Sequence, residues 1–511
     1  MMLPDMAGET PVFRAGTIEG AKAVGVLDIG SNSVRLVVYE NHVRALTPVF
    51  NEKAACSLGR GVATTGNIDP KNAEMALSAI KRFALVVRLL NVENMHILAT
   101  SAVREANNGA DFMEVVAHYM GVRGHVLSGE EEAHFAALGV LSGMPEFSGM
   151  VGDLGGGSLE LSQLNSGLDT LGETLELGVI RLQDDSGLTV EKAASIAAKR
   201  LKKSKVLRES STDTFCAIGG TWRAIAKLMQ MQSNYPMHII QDYRVDARDV
   251  EKLCARLMKN QADEPFLDQI NRTRAGLLPY GAAVMSQIIR LGKFDNILFS
   301  SFGVREGYLY ARLSKKQAAA DPLLQAAEQM CRLRGRSEQH ARDLVGFTQG
   351  FLSVLGERES EQQRRLRKAI CLLSDIGWRG HRDYRGEQSV DLVAYSALSG
   401  LDHPGRAFLA EALAVRYLGL KHNSASQRLV ELVSEKHLFR ARLLGTMLRV
   451  AYALSGAMPQ LLPRVRFEKE GDGVGMVLPA DLAFLRSARL RTRLNQLARH
   501  VECDLSVVIS D

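Results

Sequence analysis

Two short stretches of this chain carry acids, glycines and hydroxyls at matching spacing. The first reads Asp28-Ile29-Gly30-Ser31-Asn32-Ser33-Val34-Arg35, the second Asp153-Leu154-Gly155-Gly156-Gly157-Ser158-Leu159-Glu160. Each opens with an Asp at the end of an apolar run and closes on another apolar run. A strand that ends in an acid, turns through Gly and small hydroxyl residues and re-enters as a strand makes a loop whose backbone N–H groups converge on phosphate. Strand side chains alternate, so Ser33 and Arg35 share one face of the first hairpin, and Ser158 and Glu160 one face of the second. Facing each other, the two hairpins would line a cleft with phosphate donors and metal-seeking carboxylates.

Holding a phosphate in such a cleft needs its charge neutralised by N–H donors, cations and a divalent ion. Ser31, Asn32, Ser33, Arg35, Gly155, Gly156, Gly157 and Ser158 suit phosphate binding by N–H groups, hydroxyls and guanidinium. Arg104, on an expected loop after a strand, is a second cationic clamp. Asp28, Asp153 and Glu160 suit Mg²⁺, which takes few protein carboxylates and shares phosphate oxygens. The bland alternatives are two hairpin turns, Asp side chains folded back on those turns, and a surface ion pair at Arg104.

Positioning these residues requires strands and helices in alternation. Residues 23 to 39 read as a β-hairpin, and Asp69-Pro70 starts a helix to about Leu90. His96-Ile97-Leu98-Ala99 is a buried strand, and Ser128 with Glu131 fits a capping box that opens a helix through Phe135, Leu138 and Leu141. Behind the second Asp loop come a helix from about Val190 to Leu207, a strand at Phe215–Ile218, a Gly219-Gly220-Thr221 turn, a helix near Trp222 and a strand at Asn296–Phe299. The Gly-Gly-Thr turn resembles a superfamily's phosphate or nucleoside loop and is equally well a helix cap. After Asp321-Pro322 the periodicity becomes helical. Near the end, Arg464–Phe467 and Gly475–Leu478 form a hairpin around Gly471-Asp472-Gly473. A helix follows, with Leu490, Leu494, Leu497 and Val501 on one stripe and Arg486, Arg489 and Arg493 on another. That arginine stripe is either a track for a long polyanion or a solvated face.

At 511 residues the chain exceeds one hydrophobic core and suggests about three or four domains. The divisions expected are a disordered leader at 1–21, α/β lobes at 22–136 and 137–318, an all-α domain at 319–440 and a small basic α+β domain at 441–511. With no apolar stretch suited to a signal or a membrane span, the expectation is a cytoplasmic protein with no membrane partner. The six cysteines are scattered without a C-x-x-C pair, which supports neither a disulfide framework nor a zinc ribbon. Net charge is +6, yet residues 436–511 hold twelve Lys or Arg against seven Asp or Glu, which points to an anionic partner. No nucleic acid is expected.

The paired Asp-Gly-Ser loops resemble the actin-like, sugar-kinase superfamily. Ser101 to Ala106 (Ser-x-x-x-Arg-Glu-Ala), Ser128 to Ala133 (Ser-Gly-x-Glu-Glu-Ala), Asp153 to Glu160 and Gly303 to Gly307 (Gly-x-Arg-Glu-Gly) look like the exopolyphosphatase and guanosine pentaphosphate phosphatase family in its long form. The resemblance implies two actin-like (ribonuclease H-like) lobes, an HD-like helical domain, a small α+β domain and, by analogy, a homodimer. It implies Mg²⁺-dependent release of terminal orthophosphate from inorganic polyphosphate, or of the 5′-phosphate of guanosine pentaphosphate. It points to Glu132 as general base, with Arg104 and Glu160 beside it in the catalytic set. The residues alone explain the acids at 130–132 by the helix dipole. In the helical domain, Ser374 stands before Asp375 where a metal-binding His would be expected, so a separate metal site there is not implied. Different in class is a cleft that binds an alarmone or nucleotide without turnover and signals to a partner.

Overall fold

The computed structural model describes all residues except 1–17, 19, 166–167, 260–262, 424–425 and 511, so the expected leader lies almost wholly outside the described residues. The chain divides into two compact units, residues 1–320 and 321–511.

The first unit holds two sheets built on one plan. Strands β1 (Val24–Ile29), β2 (Ser33–Tyr39), β3 (Pro48–Ala55), β4 (Asn94–Ala99) and β5 (His125–Val126) lie in the order β3-β2-β1-β4-β5. In the second sheet, β6 (Gly149–Leu154), β7 (Leu159–Asn165), β8 (Leu168–Leu175), β9 (Thr214–Ile218), β10 (Tyr243–Asp246) and β11 (Asn296–Phe299) lie in the order β10-β11-β9-β6-β7-β8. Both run as an antiparallel meander whose first strand has a parallel neighbour on its other side: β1 pairs with β2 and β4, β6 with β7 and β9. The sequence explains the buried strands. Apolar residues on both faces of β1 pack into separate cores, Leu27 and Ile29 into one, Val24 and Val26 into the other.

Helix Pro70–Leu89 covers the first of these cores with Ala76, Ile80, Phe83 and Val87. Asp69 caps it by accepting from the Lys71 and Asn72 N–H groups, and Pro70 sits in the first turn, where it gives up no bond. Helix Gly129–Gly143 opens with the expected capping box and packs Ala136, Ala137, Val140 and Leu141 on the second sheet. The divide expected between residues 136 and 137 falls inside this helix. In exchange, helix Val304–Tyr310, which follows the last strand of the second sheet, packs Tyr308 and Leu309 on the first. The two exchanged helices cross where neither has bulk. A Cβ on Gly139 would stand 2.2 Å from the Gly303 carbonyl oxygen, and one on Gly307 would stand 1.8 Å from that of Phe135.

Three expectations need correction. Residues 101–105 form a short helix, not a loop, because the Thr100 carbonyl accepts from both Val103 and Arg104 N–H. The expected helix to Leu207 stops at Leu201 and restarts at Lys205. Ser204 interrupts it by capping the new helix through Leu207 N–H and bonding Glu173. The terminal hairpin, β12 (Arg466–Glu470) and β13 (Gly473–Pro479), gains a third strand, β14 (Leu505–Ser510), parallel to β13.

Between residues 321 and 465 the second unit is helical. There Asp375 is held by Arg336 through two bonds of 2.6 and 2.8 Å, so its carboxylate is paired with a guanidinium. Among the described residues, no helix is long and apolar enough to cross a membrane.

Adding a methyl at the helix crossing must push backbone from backbone. We expect Gly307→Ala to cost on the order of 2–3 kcal/mol in urea unfolding. Gly276→Ala, whose Cβ meets nothing nearer than 3.9 Å, should stay within about 1 kcal/mol of the parent.

Candidate active site

The two hairpins close by the same bond: Gly30 N–H donates to the Ser33 carbonyl and Gly155 N–H to that of Ser158, each at 3.0 Å. Their tips meet. A Cβ on Gly156 would lie 2.9 Å from Ser31 Cβ, and one on Gly157 would lie 2.6 Å from Ser101 Oγ, so only glycine permits this approach. The first tip is braced by Gly59 N–H on the Ser31 carbonyl (2.8 Å), the second by Ile180 N–H on that of Gly156 (2.9 Å). Ser31 Oγ and Ser101 Oγ are 2.8 Å apart.

Around this contact lies a cleft of about 630 Å³, lined by Asp28, Ser31, Asn32, Ser33, Arg35, Glu132, Asp153, Gly155, Gly156, Ser158 and Glu160 among others. The expected site residues therefore converge, with two qualifications. Gly157 sits behind the tip against Ser101, and Arg104 reaches the cleft only through Glu132. Register places Asp28 opposite Arg35 and Asp153 opposite Glu160. Equivalent positions of the two hairpins thus carry opposite charge.

One end is acidic. Glu132, 6% exposed, takes a 2.5 Å bond from Arg104 Nη1, whose guanidinium also donates to the Leu127 carbonyl. Burial pushes the Glu132 carboxyl up to about 7 against the pull of Arg104. Burial likewise raises Asp153 to about 6, and raises Glu160 well above the carboxylate range with Glu132 adding to it. Glu160 Oε1 is buried with no hydrogen-bond partner. The other end is cationic, and here the sequence reading missed Lys53, Arg223 and Arg274; it also missed Arg305, which pairs with Asp28, and all four line the cleft. Lys53 stands opposite Arg35 across β2 and β3. Burial and then Arg274, Arg223 and Arg35 bring its amine down to about 8. Arg223 is lowered to about 10 by burial and by Arg305 and Arg35. The Gly303–Gly307 motif contained Arg305, and the Gly219-Gly220-Thr221 turn hinted at the rest of this wall. Arg223 follows it by two residues, and the Arg274 guanidinium lies on Gly220, where a Cβ would approach to 2.8 Å.

A divalent cation fits the acidic end. Raised carboxyl groups and an orphaned buried oxygen mark a deficit of positive charge. Among the described residues no three His, Cys, Asp or Glu form a metal cage.

The profile of the Ppx/GppA phosphatase family matches residues 37–316. The chain belongs to that family. The profile described as exopolyphosphatase, C-terminal, matches residues 323–508. Exopolyphosphatase 1 of Mycobacterium tuberculosis is 28% identical over 312 residues, 57% of this chain and 89% of that protein. Retrograde regulation protein 2 of Saccharomyces cerevisiae is 25% identical over 444 residues, 77% and 72% respectively. The crystal structure of the Aquifex aeolicus Ppx/GppA member superposes with a TM-score of 0.48 at 24% identity, over 56% of this chain and 96% of that one. As a Ppx/GppA member the chain is a hydrolase acting on phosphoric anhydrides.

Because Glu132 is a weaker acid when folded than its ordinary value of 4.5, the folded protein holds an extra proton between about pH 4.5 and about 7. Stability from this group is full below that interval and is lost as pH rises through it. In chemical denaturation of metal-free protein, Glu132→Gln should lose less stability than the parent across the interval.

Proposed function

We propose that the cleft is an exopolyphosphatase site, releasing terminal orthophosphate from inorganic polyphosphate with Glu132 as general base. The observation that carries this reading is Glu132 itself. It is a buried carboxylate with its proton affinity tuned near neutrality, at the acidic end of a cleft whose hairpins offer phosphate donors. A base of this strength is substantially ionised at pH 7 and still binds a proton well.

The terminal phosphate lies in the cleft beside the touching tips, against Ser31, Asn32, Ser33, Gly155, Gly156 and Ser158. Its chain runs toward Arg35, Lys53, Arg223 and Arg274, whose charge holds a polyanion and favours the shortened chain as it leaves. Glu132 takes a proton from a water whose oxygen forms the new P–O bond. The bridging P–O bond breaks, and its electron pair stays on the departing chain. That anion departs readily, so no general acid is assigned. Arg104 orients Glu132, and Glu160 keeps a second carboxyl beside it. Asp28, Asp153 and Glu160 would hold Mg²⁺, which supplies charge neutralisation on the non-bridging oxygens.

The 28% identity to a protein named exopolyphosphatase 1 supports polyphosphate as substrate. Guanosine pentaphosphate is the second reading, favoured by the Gly219-Gly220-Thr221 turn and Leu277, which give the cationic end a backbone and apolar edge. Phosphate release from both substrates separates them. Glu132→Gln should lower kcat on the preferred substrate about a thousandfold with KM little changed, and wild-type turnover by the variant would refute the base.

A further inference from the structure

The turn that opens helix Val304–Tyr310 carries two charged residues into the first lobe. Arg305 lines the cleft, and its Nη1 donates to Asp28 Oδ2 at 2.7 Å while Nη2 stands 3.7 Å from Glu306 Oε1. Glu306, 7% exposed, accepts from the Tyr39 hydroxyl at 2.7 Å and from Gly303 N–H at 2.9 Å. The chain Tyr39, Glu306, Arg305, Asp28 thus begins and ends on strands of the first sheet, and its middle members come from the helix that leaves the second. The same turn abuts the other lobe's acid: a Cβ on Gly303 would stand 3.5 Å from Asp153 Oδ2.

Burial works against charge on Arg305, but Glu306 and Asp28 outweigh it and keep the guanidinium protonated. Burial likewise works against the Glu306 anion, and Arg305 with the Tyr39 and Gly303 donors holds that carboxyl below its usual range. A purely structural ion pair could sit anywhere between the lobes. This one ends on a cleft carboxylate and uses only one of its two oxygens.

We propose that Arg305 is a positioning residue: anchored by Glu306 and Tyr39, it clamps Asp28 Oδ2 and sets the gap between Asp28 and Asp153 across which the reacting phosphate lies. The proposal rests on reading the cleft as a phosphate-releasing site. The planar fork turns Nη1 to Asp28 and Nη2 to Glu306, a two-nitrogen geometry that the single nitrogen of a lysine does not reproduce.

Phosphate release from polyphosphate and guanosine pentaphosphate by full-length Arg305→Ala, Arg305→Lys and Tyr39→Phe tests this. Arg305→Ala should lose about a hundredfold in kcat with KM within about threefold. Added guanidinium ion should restore part of the loss, and urea at the same concentration should not. Arg305→Lys should stay impaired, and Tyr39→Phe should fall about tenfold in kcat at unchanged KM. Wild-type kcat in Arg305→Ala, or equal effects of guanidinium and urea on a folded variant, overturns the proposal. Should Arg305→Ala not fold, Tyr39→Phe decides, because it removes one hydroxyl, and an unchanged kcat there also overturns it. If the unmodified protein releases phosphate from neither substrate, the reading of the cleft itself fails, an outcome distinct from any behaviour of the variants.

Discussion

The close approach of the two hairpin tips governs the rest of the site. With no side chain on Gly156 or Gly157, backbone from one lobe rests on Ser31 and Ser101 of the other. Any larger residue would wedge the lobes apart. The cost of this proximity is electrostatic. It gathers Asp28, Glu132, Asp153 and Glu160 around one cleft, where desolvation and mutual repulsion raise the proton affinity of Glu132, Asp153 and Glu160. Arg104 and Arg305 each neutralise one of the four.

A repeated architectural unit also yields an asymmetric site. The meander with its parallel neighbour occurs twice, with the same closing bond and the same leading Asp. The symmetry breaks at one cross-strand position, where Arg35 in the first lobe answers to Glu160 in the second. Lys53 extends the first lobe's positive face through the register of β2 and β3. Polarity along the cleft follows from that substitution within a shared backbone.

Much of this was legible in the sequence because it is local. Asp69-Pro70, the Ser128 and Glu131 pair and the two Asp-Gly loops each state their conformation within a few residues. What escaped depended on neighbours distant in sequence. Lys53 in an amphipathic strand and Arg274 in a one-turn helix look like ordinary surface residues until register and packing bring them beside Arg35 and Gly220. Arg305 sat within a recognised motif, but only the return of its helix to the first sheet reveals the partners Asp28 and Tyr39. The break at Ser204 and the strand at Leu505–Ser510 were missed for the same reason: each is stabilised by a residue or strand outside its own window.

The exchange of helices between lobes has a consequence for biosynthesis. The apolar face that Val24, Val26 and Val37 present is completed by Tyr308 and Leu309, some 270 positions later in the chain. A nascent polypeptide emerging from the ribosome therefore carries that face only partly covered, by Leu46, Leu127 and Phe135, until Tyr308 and Leu309 emerge, and the first lobe completes its core only with that helix. Maturation is concerted across some 300 residues, so chaperone protection matters most before the helix at 304–310 emerges.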